Sequence, residues 1–171
     1  LFALWLMPDH EPSGIGAYPL VPTSKTRKLA FIYATGALLL AILSVALFSA
    51  SPLSLLWLWP TLAVGLVALA YLQTGVATFQ KHQDGTVSLA SYWLLMPYRC
   101  GAHLNAWLWT RKYAPNVHIA GNVHLGRFPI ESEINDFDTA IDLTGEMLRP
   151  KDTKADWYSF PVLDLTTVPN Q

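Results

Sequence analysis

From Leu29 to Gln80 the chain carries no Lys, Arg, Asp, Glu or His. A soluble helix pair exposes charge on its solvent face, so an uncharged stretch of this length fits hydrocarbon as its surroundings. Within it, Leu29–Phe48 is about twenty residues and, as a helix, about 30 Å long, which matches the core of a bilayer. Ser49-Ala50-Ser51-Pro52 supplies a tight turn, and Ser54–Gln73 a second span of similar length. Trp57 and Trp59 stand near the start of that span, where indoles settle at a membrane interface, and Pro60 predicts a kink that membrane helices tolerate. The pattern predicts a transmembrane α-helical hairpin over residues 29–80.

The segments on either side carry different patterns. Pro8 to Thr26 holds four prolines and two glycines and reads as a loop, so residues 1–28 form an N-terminal loop region. Leu1–Met7 is apolar but too short to span; it reads as the end of an upstream helix or of a signal peptide, in a chain expected to be a fragment or a processed product. Residues 81–115 are rich in Trp, Tyr and Leu and are broken by Pro97. Two readings stand for them: an interfacial helical linker with its basic residues at the headgroups, or the hydrophobic floor of the domain that follows.

From residue 116 the period shortens. Val117–Ala120 and Val123–Gly126 are strand-like runs around Gly121-Asn122, a hairpin turn; Glu131–Phe137 is polar and helical; Thr139–Leu143 and Trp157–Leu163 are further strands. Strands alternating with polar segments predict an α/β sheet. About 55 residues are too few for a complete doubly wound domain, so residues 116–171 predict an incomplete one.

Charge adds orientation. Lys25, Arg27 and Lys28 precede the first span; Lys81, Arg99, Arg111 and Lys112 follow the second; the connecting turn has none. The positive-inside rule then puts both ends in the cytosol. Residues 1–115 hold seven basic and three acidic residues, and residues 116–171 four and nine. The acidic second part argues against a nucleic-acid partner, and the basic first part suits a lipid bilayer. Charged residues are 13% of the whole, about half the soluble norm, as membrane insertion requires.

Candidate chemistry is sparse. Cys100 is the one cysteine, so no internal disulfide and no cysteine-based metal site can form. Beside an aromatic segment it reads as a buried or interfacial structural residue. His118 and His124 lack carboxylate or thiolate partners at ligand spacing and read as hydrogen-bonded to polar neighbours. No metal or other cofactor is expected. Asp164 differs, because it ends an apolar run and opens a Thr/Pro loop. A carboxylic acid at the carboxyl end of a sheet strand can act as a general acid; equally, an Asp there can cap its own loop.

Three segments carry a family likeness: "NVHLGRFP" (Asn122–Pro129), "AIDLTGE" (Ala140–Glu146) and "FPVLDLTTVP" (Phe160–Pro169). In this order the stretch from Asn116 to Gln171 resembles the N-terminal half of the dual-specificity phosphatases, the compact branch of the protein tyrosine phosphatases. "LLWLWP" (Leu55–Pro60), "GTVSLASYWLLMPYR" (Gly85–Arg99) and "LNAWLWTRK" (Leu104–Lys112) look like bacterial membrane proteins in which such a domain follows transmembrane helices. The likeness implies a multi-pass protein of the bacterial inner membrane with a cytosolic dual-specificity-phosphatase-like α/β domain. It also implies that Asp164 is the catalytic general acid, with Arg127 bracing the fold and Glu146 unassigned.

One departure limits what the chain can do. The family's signature is His-Cys, five residues, then Arg, at a helix N-terminus whose amides hold phosphate while the thiolate attacks. Residues 1–171 lack it: Cys100 follows Arg99, has His103 where Gly is usual and Ala106 where the Arg belongs, and lies upstream of the acid. The expectation is a phosphomonoester hydrolase in full-length form, inactive as residues 1–171 alone. The rival is a non-catalytic membrane-anchored binding module or pseudophosphatase. Phosphorylated protein and phospholipid remain equally open as substrates, and nothing in the sequence sets an oligomeric state.

Overall fold

The computed structural model describes residues 22–164 and Thr166. The expectations for Leu1–Met7, for most of the Pro8–Thr26 loop and for the end of the "FPVLDLTTVP" motif lie outside the described residues.

Helix α1 runs Ser24–Ala46, five residues earlier than the charge-free pattern indicated. The cause is a cap. Thr23 accepts from the Thr26 amide at 3.2 Å while the Thr26 hydroxyl accepts from the Thr23 amide at 2.8 Å, satisfying two donors that a helix start leaves open. Lys25, Arg27 and Lys28 therefore sit inside the first turns, exposed. The second long element covers Pro52–Phe79. It opens as a 3₁₀ turn (Pro52–Trp57), becomes helix α2 (Leu58–Leu69), widens into a π turn (Ala70–Thr74) and closes with another 3₁₀ turn (Gly75–Phe79). Pro60 falls in the first turn of α2, just past the changeover from 3₁₀ winding. There the missing N–H interrupts no established α ladder.

Both elements are long and apolar enough to cross a membrane, and only 11% and 28% of their most apolar windows are buried. A core helix of a soluble protein would bury most of such a face. The two pack antiparallel: the buried Ser44 hydroxyl donates to the Ser54 carbonyl at 2.8 Å near the turn, and Tyr33 stacks on Tyr71 at 5.6 Å towards the other end.

After Phe79 the chain makes a narrow hairpin, with Lys81 bridging Val87. Gly85 forms its tip at φ 82°, a conformation L side chains rarely adopt. A Cβ there would lie 2.5 Å from Trp157 Nε1, whose indole N–H donates to Ser159 Oγ at 3.1 Å. Gly85→Ala is expected to cost about 1–3 kcal/mol through backbone strain alone, with further loss as Trp157 shifts. A drop in the thermal midpoint of the solubilised protein checks it.

Helices α3 (Leu89–Leu94) and α4 (Met96–Thr110) follow. Leu95 is buried in a cluster with Ala30, Val67, Ala70, Tyr71, Phe79 and Leu163, whereas Trp93, Leu104, Trp107 and Trp109 are exposed. Arg99 is not at the surface as the linker reading expected: it is 4% exposed and faces inward. Cys100, expected to be buried or interfacial, is exposed.

The remainder is a small mixed helix and strand region. Strands β1 (Asn116–Ala120) and β2 (Val123–Gly126) form the expected antiparallel hairpin around Gly121. Helix α5 is one turn, Glu131–Ile134, shorter than the polar run suggested. Strands β3 (Thr139–Thr144) and β4 (Asp156–Val162) pair in parallel. The register slips between Asp142 and Thr144. Pro161 stands opposite that slip and has no N–H to give the ladder, so a bulge is the natural accommodation. One face of this pair is covered: Ala140 and Trp157 pack with Ile134, Ala155, Phe128 and Phe137. Ile141, Leu143 and Tyr158 are exposed.

Candidate functional site

Because β3 and β4 are parallel, their carboxyl ends finish side by side. Thr144-Gly145-Glu146 leaves one and Leu163-Asp164 the other. This edge is fastened to the helical base by four contacts. Leu163 is buried in the cluster shared with Ala30 of α1 and Tyr71 of the second span. Gly145 packs so closely that a Cβ would lie 3.2 Å from the Phe79 ring. The Lys81 ammonium donates to the Thr144 carbonyl at 2.8 Å, and the Arg99 Nε–H donates to the Glu146 carbonyl at 3.1 Å.

The strongest polar feature is the ion pair Lys81 Nζ–Asp142 Oδ2 at 2.5 Å, with both side chains essentially out of solvent. Asp142 points to the covered face of β3. Its Oδ1 accepts from the Thr144 amide and hydroxyl, each at 2.8 Å, and its Oδ2 also accepts from Ser159 at 3.4 Å. Lys81 spends its other donors on Thr144. Burial pushes the Lys81 pKa down, and the hydrogen bond and charge of Asp142 offset part of that. Arg99 is similarly enclosed, donating to the Ser91 carbonyl and hydroxyl at 3.1 Å each. Burial lowers its pKa too, but a guanidinium stays charged at any working pH.

Asp164 is exposed on the turn after β4. The turn is closed by Thr166, whose amide and hydroxyl donate to the Leu163 carbonyl at 3.1 and 2.6 Å. The Asp164 carboxylate accepts no hydrogen bond among the described residues. Glu146, left unassigned by the sequence, lies within the field of Asp164. Its pKa is raised, first by burial and further by the charges of Asp164 and Asp142, while its own amide and Lys81 pull the other way.

That shift has a pH consequence. A carboxyl that is more basic folded than unfolded stabilises the fold fully below the ordinary glutamate range, and this contribution is lost as pH rises through the raised value. Glu146→Gln is expected to remove that component and leave a flatter stability profile from acid to neutral pH. Unfolding of wild type and variant across that range checks it; parallel profiles would contradict it.

The other candidates fall away from this edge. His118 and His124 face each other across the β1–β2 hairpin, bonded to the Gly121 carbonyl at 2.8 Å and to Asn116 Oδ1 at 3.1 Å, as their lack of ligand partners indicated. Among the described residues no group of three or more His, Cys, Asp or Glu is placed to hold a metal. Arg127 pairs with Glu133 at 2.5 Å, and Glu133 also accepts from the Ile130 amide, so Arg127 ties the hairpin to α5. Sequence reasoning missed Lys81, Asp142 and Arg99 as site neighbours. The only signal was a lone Asp inside an apolar strand, which asks for a buried cation without saying which.

The described residues form an apolar helical hairpin base with a small mixed helix and strand layer docked on it. Compared with known protein families, curated proteins and solved structures, the chain matches none.

Proposed function

We propose that this chain is the membrane-anchored front part of a dual-specificity-type phosphatase, a hydrolase of phosphate monoesters. The anchor is the hairpin of α1 and the second span in a bacterial inner membrane, with the strand-bearing region cytosolic. One observation carries the reading: Asp164 follows the carboxyl end of one of two parallel strands and Glu146 that of the other, the edge at which open α/β sheets place their ligands. The exposed apolar face of the pair supports it further. Parallel strands are ordinarily covered on both sides, and here Ile141, Leu143 and Tyr158 are exposed.

In this reading a Cys thiolate on a His-Cys, five residues, Arg loop attacks phosphorus and the ester P–O bond breaks. Asp164 gives its proton to the departing oxygen. Water then attacks the cysteinyl phosphate, Asp164 takes its proton, and the S–P bond breaks to release inorganic phosphate. No cofactor enters. Residues 1–171 do not hold that loop, so the reading requires it downstream of Gln171. The rival reading is a non-catalytic module that binds a phosphorylated ligand or partner.

The test is to purify the complete product of the coding region and assay p-nitrophenyl phosphate. Turnover that disappears with alkylation of the signature Cys is the expected result. A complete product with no turnover would leave the binding module.

A further inference from the structure

We propose that the carboxyl edge of β3 and β4 takes a phosphomonoester borne by a membrane lipid; this rests on the phosphatase reading above. The argument is positional. Leu163 sits in one buried cluster with Ala30, which lies in the second turn of α1, and with Val67, Ala70 and Tyr71, which lie at the end of α2 and in the π turn that follows it. Asp164 is the next residue, about 3.8 Å along the chain between Cα atoms. Gly145 and Glu146 are held at the same level by Phe79 and Arg99.

That level is where lipid phosphates lie. Helix α1 has 23 residues, about 35 Å at 1.5 Å per residue, slightly more than a hydrocarbon core of about 30 Å. The excess of about 5 Å is one turn, and the basic N-terminal end is the end that belongs among the headgroups. It carries Lys25, Arg27 and Lys28, all exposed, two to five residues before Ala30, which shares the cluster with Leu163. Along α1 the three cations therefore stand about 3–8 Å from the level at which Leu163 docks.

The opposite edge of the sheet is different. The amino ends of the strands, Thr139 and Asp156, lie a strand's length away, about 20 Å at roughly 3.3 Å per residue. A site there would be open to folded phosphoproteins. At the fastened edge, a phosphorylated side chain on a folded protein would have to enter between sheet and bilayer, whereas a lipid phosphate is already present. In the reaction the lipid headgroup oxygen leaves phosphorus, takes the Asp164 proton and stays in the membrane as an alcohol. The phosphate passes to the Cys thiolate and then to water.

The experiment uses the complete coding-region product in detergent–lipid mixed micelles. Phosphatidate and phosphatidylinositol monophosphate, each diluted in phosphatidylcholine, are compared with a phosphotyrosine peptide and p-nitrophenyl phosphate. At least one lipid should exceed the peptide by about tenfold or more in kcat/KM. Its rate should follow the mole fraction of that lipid in the micelle, not its bulk concentration. A peptide hydrolysed faster than both lipids overturns the lipid assignment and leaves the phosphatase reading standing. No hydrolysis of any substrate, p-nitrophenyl phosphate included, removes both.

Discussion

Lys81→Met is expected to destabilise the protein by about 3–5 kcal/mol, because it leaves the Asp142 carboxylate buried without its cation. Methionine keeps most of the volume, so the cost falls on charge and not on a cavity. The remaining donors to Asp142, from Thr144 and Ser159, are neutral and do not compensate a full negative charge in a dry site. The loss is also specific in place: Lys81 joins the segment leaving the second span to the carboxyl end of β3. Limited proteolysis should therefore cut between the helical base and the sheet before the helices loosen. Lys81→Met combined with Asp142→Leu is expected to recover much of the stability, since replacing both partners removes the unpaired charge. Equilibrium unfolding of the two single variants and the double variant measures this; additive losses would contradict the account.

Asp164→Asn in the complete protein is expected to slow hydrolysis of alkyl phosphates by about 10²–10⁴-fold, the usual worth of a positioned general acid. Alkoxide leaves poorly without a proton, while p-nitrophenolate needs little help, so the aryl substrate should be far less affected. Stability offers a control. Asp164 is exposed and unbonded among the described residues, so the substitution should change unfolding free energy by no more than about 0.5 kcal/mol. Equal slowing of alkyl and aryl substrates would place Asp164 outside proton transfer.

The parts of this structure that sequence made legible are those set by short-range pattern. The charge-free run from Leu29 to Gln80 marked the hairpin, and the runs at residues 117–126, 139–143 and 157–163 marked the four strands to within one or two residues. What stayed hidden depends on long-range placement. Lys81 and Asp142 are 61 residues apart, and nothing local says that a cation after a span will turn inward. Arg99 looked like a headgroup ligand for the same reason, since a basic residue beside aromatics fits an interface and a buried bond to Ser91 equally well. The start of α1 was displaced because Lys25, Arg27 and Lys28 broke the apolar pattern without breaking the helix that the Thr23 cap begins. Asp164 was located correctly at the end of its strand. The parallel pairing that puts the end of β3 on the same edge was not, because it follows from the crossover between residues 145 and 155.

In the proposed reading, Asp164 works with a thiolate loop carried on the same polypeptide. Sequencing the coding region past Gln171 decides this. An uninterrupted reading frame that reaches His-Cys, five residues, then Arg is the expected result. A stop codon at that point, or a continuation without this Cys and Arg, would contradict it.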